Sequence, residues 1–169
     1  MNKVYCTSFH STIGAVHVAS TDRGVCKICI PAQSRKDLQS WLHRHLPGHE
    51  IEESDTKNRG IIDELNRYFD HRLVTFHSAS HLVGTEFQKK VWKELKKIRY
   101  GSTITYKDLA RRVGMPDAYQ TVGRVNGANP LPILIPCHRV VGKDNRLTGY
   151  AGGVKTKEFL LRLEGALLI

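Results

Sequence analysis

Cysteine, proline and aromatic residues are all sparse in this chain of 169 residues, which holds four Cys, six Pro and 8% Phe, Trp and Tyr. The four unevenly spaced cysteines, Cys6, Cys26, Cys29 and Cys137, exclude a disulfide scaffold and suit a reducing compartment. No apolar run approaches the ~20 residues of a membrane span. No basic-apolar-small leader opens the sequence either, so a soluble, intracellular protein with no membrane partner is expected. Acidic residues are the other shortage: 16 Asp and Glu stand against 26 Lys and Arg, a net charge of +10. The imbalance is local, because residues 1–84 carry ten basic and nine acidic side chains, whereas residues 85–169 carry sixteen and seven. A basic half of that size reads as a nucleic-acid footprint. The 40% apolar content supports a core in one or two small domains.

The first thirty residues alternate and turn as an antiparallel meander: Val4 to Phe9, Ala15 to Ser20 and Val25 to Ile30, with turns at Ser11 to Gly14 and Asp22 to Gly24. Cys26-x-x-Cys29 has half the spacing of a zinc site, but residues three apart on a strand point to opposite faces. The pair is read as packing and no metal is expected; Cys6, His77 and His81 are the residues that could complete a site. Ser34 is placed to cap a helix running to about Leu46, with Leu38, Trp41, Leu42 and His45 on one stripe. Glu50 to Asp55 reads as an acidic loop. Ile61, Ile62, Leu65, Tyr68 and Phe69 mark the inner face of a second helix, and His71 to Ala79 leads out through a short strand.

A boundary at Ser78 to Gly84 gives domains 1–80 and 81–169, the second mostly helical. Thr85-x-x-Gln88 is a capping-box spacing ahead of Phe87, Val91, Trp92, Leu95 and Ile98 at helical intervals. A helix-turn-helix pattern follows. Thr105-x-x-Asp108 caps a short helix that Gly114 and Pro116 end, and Asp117-x-x-Gln120 opens a second helix to about Gly127. Val122 and Val125 face inward there, while Ala118, Thr121, Gly123 and Asn126 form a face of small side chains that lets a backbone approach a groove. The last helix is expected from Thr156 to Glu164, burying Phe159, Leu160 and Leu163.

Chemistry concentrates in Ile133-Leu134-Ile135-Pro136-Cys137-His138-Arg139-Val140-Val141. The aliphatic run reads as a buried strand that Pro136 interrupts, turning sharply at Cys137. A thiol reacts as thiolate, activated by a neighbouring base or an electropositive enclosure, and His138 and Arg139 are placed to supply both.

Gly84-Thr85-Glu86-Phe87-Gln88, Val91-Trp92, Tyr106, Val122-Gly123, Asn129-Pro130, Ile135 to Val140, Gly149-Tyr150, Gly152-Gly153 and Leu160 to Glu164 together resemble the O6-alkylguanine-DNA alkyltransferases over about residues 84–165. The resemblance implies an α+β protein: a small N-terminal sheet-and-helix domain of ribonuclease H-like type, then a helical C-terminal domain with a helix-turn-helix. It implies double-stranded DNA containing O6-alkylguanine as partner, bound mainly through the minor groove. No oligomer contact is evident in the sequence, so a monomer is expected, cytoplasmic and nucleoid-associated, or nuclear in a eukaryote. The expected reaction is irreversible, single-turnover transfer of an alkyl group from O6 of guanine, and from O4 of thymine, to Cys137, without a cofactor.

Carried onto this chain, the family's relay is Cys137, His138 and Glu164, with Asn129 tying the second helix to the active-site stretch and Tyr106 donating to a guanine ring nitrogen. Asn126, Val140, Tyr150 and Ala151 fall at the pocket walls. Lys107, Met115, Ala118, Gly123, Arg124 and Lys143 fall at the DNA-facing positions, with Gln120 where most of the family places an intruding arginine. Two alternatives share these residues: a protein that recognises alkylguanine, or regulates transcription, without transfer, and a cysteine hydrolase whose acyl-enzyme turns over.

Overall fold

The computed structural model describes residues 2–167, a mixed α+β chain that divides into two compact units, Met1–Val83 and Gly84–Ile169. Among the described residues no helix is long and apolar enough to cross a membrane.

The first unit is built on a four-stranded sheet. Its strands β1 (Lys3–Ser11), β2 (Gly14–Thr21) and β3 (Gly24–Cys29) form the meander, and β4 (Glu50–Glu53) adds to the outer edge of β1 in parallel, giving the order β3-β2-β1-β4. The acidic stretch expected as a loop is therefore a strand. All four residues of β4 are exposed, so the period-2 pattern of a half-buried strand is missing, as suits a charged edge. Lys3 pairs with Glu52 at 2.8 Å across the two strands.

Helices α1 (Arg35–His45) and α2 (Asp55–Phe69) take different residues of β1. Val4 and Cys6 share a core cluster with Leu38 and Leu42 of α1, while Thr7 bonds Asp55 and the Tyr5 carbonyl accepts from Asn58 Nδ2 of α2 at 3.0 Å. Cys26 and Cys29 both join the α1-side cluster, contrary to the expectation of opposite faces; the β2–β3 register shifts between Ala19 and Ser20, and β3 ends at Cys29. Burial pushes their thiols up to about 12 and about 11, so both are protonated packing groups.

The segment after α2 forms a single bridge, Ser80 to Val25, where a short strand at 71–79 was expected. Glu64 of α2 holds it instead, accepting from His77 N at 2.6 Å and Ser78 N at 2.7 Å. Gly24 makes room for this crossing: at φ +134°, a Cβ there would lie 2.5 Å from the Ala79 carbonyl oxygen.

In the second unit, α3 (Glu86–Leu95) and α4 (Tyr106–Arg112) each start at a complete capping box, Thr85 with Gln88 and Thr105 with Asp108. The next helix, α5 (Tyr119–Gly127), has Ala118 at its N-cap and no side-chain cap bond, so the Asp117–Gln120 box does not form. Trp92 of α3 is buried and donates its indole N–H to the Val125 carbonyl of α5 at 2.9 Å. A two-residue strand, β5 (Ile104–Thr105), pairs in parallel with β6 (Val140–Val141), matching Thr105 to Val141. Tyr106 is thereby fixed beside the active-site stretch. The last helix, α6 (Val154–Leu163), buries Lys157, Leu160 and Leu161; Phe159, expected inside, is 37% exposed.

Candidate active site

The aliphatic run ahead of Cys137 is buried but is not a strand. Pro130, Pro132 and Pro136 remove three donors that a ladder would need, and the backbone folds into a turn bounded by a Pro132–Ile135 bridge, with Ile133 at φ +74°. Asn129 straps this turn: its Oδ1 accepts from Leu131 N at 3.0 Å and its Nδ2 donates to the Ile135 carbonyl at 2.7 Å. A short 3-10 helix, Cys137–Arg139, follows and buries all three side chains.

Burial divides the roles of these three. His138 Nε2 lies 2.7 Å from Glu164 Oε1, with both side chains fully buried. Because the carboxylate only accepts, Nε2 carries the proton and Nδ1 keeps its lone pair. Nδ1 is buried without a hydrogen-bond partner in the protein, so it can take a proton. Burial pushes the imidazole below its ordinary pKa more strongly than Glu164 lifts it, which leaves it neutral at rest.

Arg139, expected to surround the thiol with positive charge, is committed elsewhere. Its Nε and Nη2 each donate to Glu164 at 2.9 Å, and Nη1 donates to the Ile98 carbonyl at 2.6 Å. Burial alone would raise the Glu164 carboxyl, but hydrogen bonds and charge from His138 and Arg139 hold it down at about 2.

The positive charge near Cys137 comes from Lys157, which the sequence reading missed. Lys157 is fully buried; its Nζ donates to the Thr148 carbonyl at 3.1 Å and stands 5.7 Å from the Tyr106 ring centroid. Burial lowers its ammonium to about 8 while the Cys137 charge opposes that shift. Burial likewise pushes the Cys137 thiol up, and hydrogen bonding to Asn129, the Lys157 charge and hydrogen bonding to Tyr150 pull it back. A signal was available: positions 157, 160, 161 and 164 are i, i+3, i+4 and i+7, one helix face that carries both ionic residues inward.

The other expected positions are dispersed. Asn126 and Val140 are buried, and Asn126 Nδ2 donates to the Cys137 carbonyl at 3.4 Å, leaving its Oδ1 buried without a partner. Tyr106, Gln120, Gly123 and Arg124 line a cavity of about 360 Å³ together with Tyr119 and Gly149. Tyr106, Lys107 and Lys143 line another of about 320 Å³ with Thr105, Tyr119, Gly142 and Thr148. Neither cavity is lined by Cys137, which is 6% exposed, or by Tyr150 and Ala151. Met115 and Ala118 sit in the α4–α5 turn, where Ala118 N donates to the Met115 carbonyl at 3.0 Å.

Residues 86–166 match the domain family described as "6-O-methylguanine DNA methyltransferase, DNA binding domain". The chain is 39% identical over 166 residues to a methylated-DNA–protein-cysteine methyltransferase of Methanosarcina acetivorans, covering 96% of this chain and 99% of the relative. It is 44% identical over 139 residues to the protein of the same name in Salmonella typhimurium, covering 81% of each. Among solved structures, a crystal structure titled as Mycobacterium tuberculosis OGT in complex with DNA superposes with a TM-score of 0.81 at 34% identity, covering 96% of this chain and 93% of that one.

Proposed function

This chain belongs to the 6-O-methylguanine DNA methyltransferase family, and we propose from that premise how its own residues carry the reaction. It is a methylated-DNA–protein-cysteine methyltransferase that repairs alkylated DNA by taking the alkyl group onto itself. Cys137 is the acceptor, for O6-alkylguanine and for O4-alkylthymine. The observation that carries this reading is the buried His138–Glu164 pair at 2.7 Å, which leaves His138 Nδ1 as the open proton acceptor in the residue next to Cys137.

The damaged nucleotide must leave the duplex for its O6 substituent to reach a buried thiol, at a cost of a few kcal/mol that is smallest for a damaged base. The Cys137 proton then passes to His138 Nδ1, directly or across one water, while Glu164, held in place by Arg139, steadies the imidazolium. Lys157 favours the thiolate electrostatically. Sγ attacks the alkyl carbon, the S–C bond forms as the C–O6 bond breaks, and the electron pair stays on guanine. The Tyr106 hydroxyl donates to a ring nitrogen as that charge develops, and the proton held by His138 passes to the guanine anion, which leaves as neutral guanine. The product thioether is not readily hydrolysed, so each molecule acts once, with no cofactor.

We read α4 and α5 as a helix-turn-helix whose small-residue face enters the minor groove, and the first unit as a ribonuclease H-like domain with a structural role. The protein acts as a monomer in the cytoplasm, on nucleoid DNA. Intact mass after mixing with a duplex containing O6-methylguanine tests the function: one added methyl per chain, on Cys137, and no turnover is the expected result. An unmodified protein that binds the duplex would instead be a lesion sensor, and an unmodified protein that turns over an ester would be a hydrolase.

Gln120 supports a second expectation. The capping box that would have employed it does not form, and it is exposed at the start of α5 on the wall of the 360 Å³ cavity. Its amide has donors and an acceptor for an orphaned base, but no charge. Gln120→Arg should therefore speed repair of duplex DNA by up to about tenfold, ~1.4 kcal/mol, and steepen the salt dependence by about one unit if the new charge meets a phosphate. Reaction with free O6-benzylguanine should hardly change; equal acceleration of both, or none on the duplex, would remove Gln120 from the DNA-opening role.

A further inference from the structure

Tyr119 has no place in the relay, yet its surroundings are those of a ligand contact. It is the first residue of α5 and is 40% exposed, an unusual position for a large ring in a helix whose buried residues are Val122, Val125 and Asn126. It lines both cavities, and Tyr106 does the same. The two rings differ in depth. Tyr106 reaches inward to the Lys157 ammonium that acts on Cys137, whereas Tyr119 faces outward to the Lys107 ammonium, 5.5 Å from its ring centroid. Lys143 stands on the wall of the same cavity. A ring at the rim with two lysines on that cavity wall matches the chemistry of a nucleotide in a strand, a π face for a base and cations for its phosphates.

We propose that Tyr119 stacks on the duplex base laid bare when the damaged nucleotide leaves the helix, with Lys107 and Lys143 holding the flanking phosphates. Tyr106 then serves the reacting base and Tyr119 the stack it has left, next to Gln120. The inference rests on the proposed alkyl transfer from duplex DNA, and it assigns the opened stack to an aromatic group where Gln120 supplies only an amide.

Three variants, Tyr119→Phe, Tyr119→Leu and Tyr119→Trp, test this on duplexes carrying O6-methylguanine with 2-aminopurine as the neighbouring base. Tyr119→Leu should react with the duplex about tenfold more slowly and leave the 2-aminopurine brighter in the complex, because nothing stacks on it. Tyr119→Phe should match the wild type in both readouts, and the Trp variant's own emission should be quenched by the duplex. All three should react with free O6-benzylguanine at the wild-type rate. Unchanged duplex repair by Tyr119→Leu would overturn the proposal, and so would equal slowing on duplex and free base, which marks a packing role. If the wild-type protein itself takes no methyl from the duplex, the alkyl-transfer reading has failed, and that is seen before any variant is compared.

Discussion

Cys137→Ser should bind alkylated duplex DNA within about twofold of wild type and take no alkyl group from it, a loss of at least about a thousandfold, or ~4 kcal/mol in the barrier. The side chain is 6% exposed, so it offers DNA almost no surface, and the change of one atom is nearly isosteric. A serine hydroxyl is a weak nucleophile at its own pKa, whereas a thiolate is intrinsically very nucleophilic. Binding by fluorescence anisotropy and transfer by intact mass separate the two effects. Stoichiometric transfer by the serine variant would remove Cys137 from the reaction.

Glu164→Gln should have the largest effect on stability and the second largest on rate. The carboxylate takes one hydrogen bond from His138 and two from Arg139, all in the buried interior. Removing one partner of such a set leaves a buried guanidinium uncompensated, which costs about 3–5 kcal/mol and should lower the denaturant midpoint accordingly. Alkylation should slow about tenfold or more, up to the ~10²–10⁴ that a positioned base contributes. The midpoint of the pH-rate profile should move up, because an amide does not stabilise the imidazolium and the thiolate then forms only at higher pH.

The acid side gives an independent sign. Glu164 is held at about 2 in the fold, below the ordinary carboxylate range of the unfolded chain. Its stabilisation is therefore full above that ordinary range and is lost as pH falls from there towards about 2. Glu164→Gln should flatten this part of the stability curve. A normal pH-rate profile together with unchanged acid stability would show that Glu164 has neither role.

The parts of this structure that were legible in sequence are those fixed by local chemistry. Ser34, Thr85 and Thr105 each have an acceptor that reaches a backbone N–H three residues on, and the three helices with complete capping boxes start at these residues. Asp117-x-x-Gln120 has the same spacing and fails, because the chain between α4 and α5 turns through Pro116 and Asp117 and leaves Ala118 at the cap. β4 was illegible for the opposite reason: an edge strand exposed on both sides carries no alternation. The run before Cys137 was apolar enough for a strand, but three prolines made it a turn.

At the site, Cys137 and His138 stood out in the residues themselves and Glu164 came from the resemblance, whereas the partners that set their charges came from neither. Arg139 turned out to neutralise Glu164 and Lys157 to face the thiol. Nothing in a lysine among hydrophobic residues says which thiol it will meet until the helix and the turn are placed in space.

The enclosure of Cys137 has a meaning of its own for a protein that reacts once. Because burial raises the thiol above its ordinary pKa and His138 is neutral at rest, the waiting molecule holds a protonated sulfur out of reach of solvent. Such a sulfur reacts slowly with dissolved electrophiles and oxidants that no pocket binds beside it. Reactivity therefore arrives with the lesion rather than ahead of it.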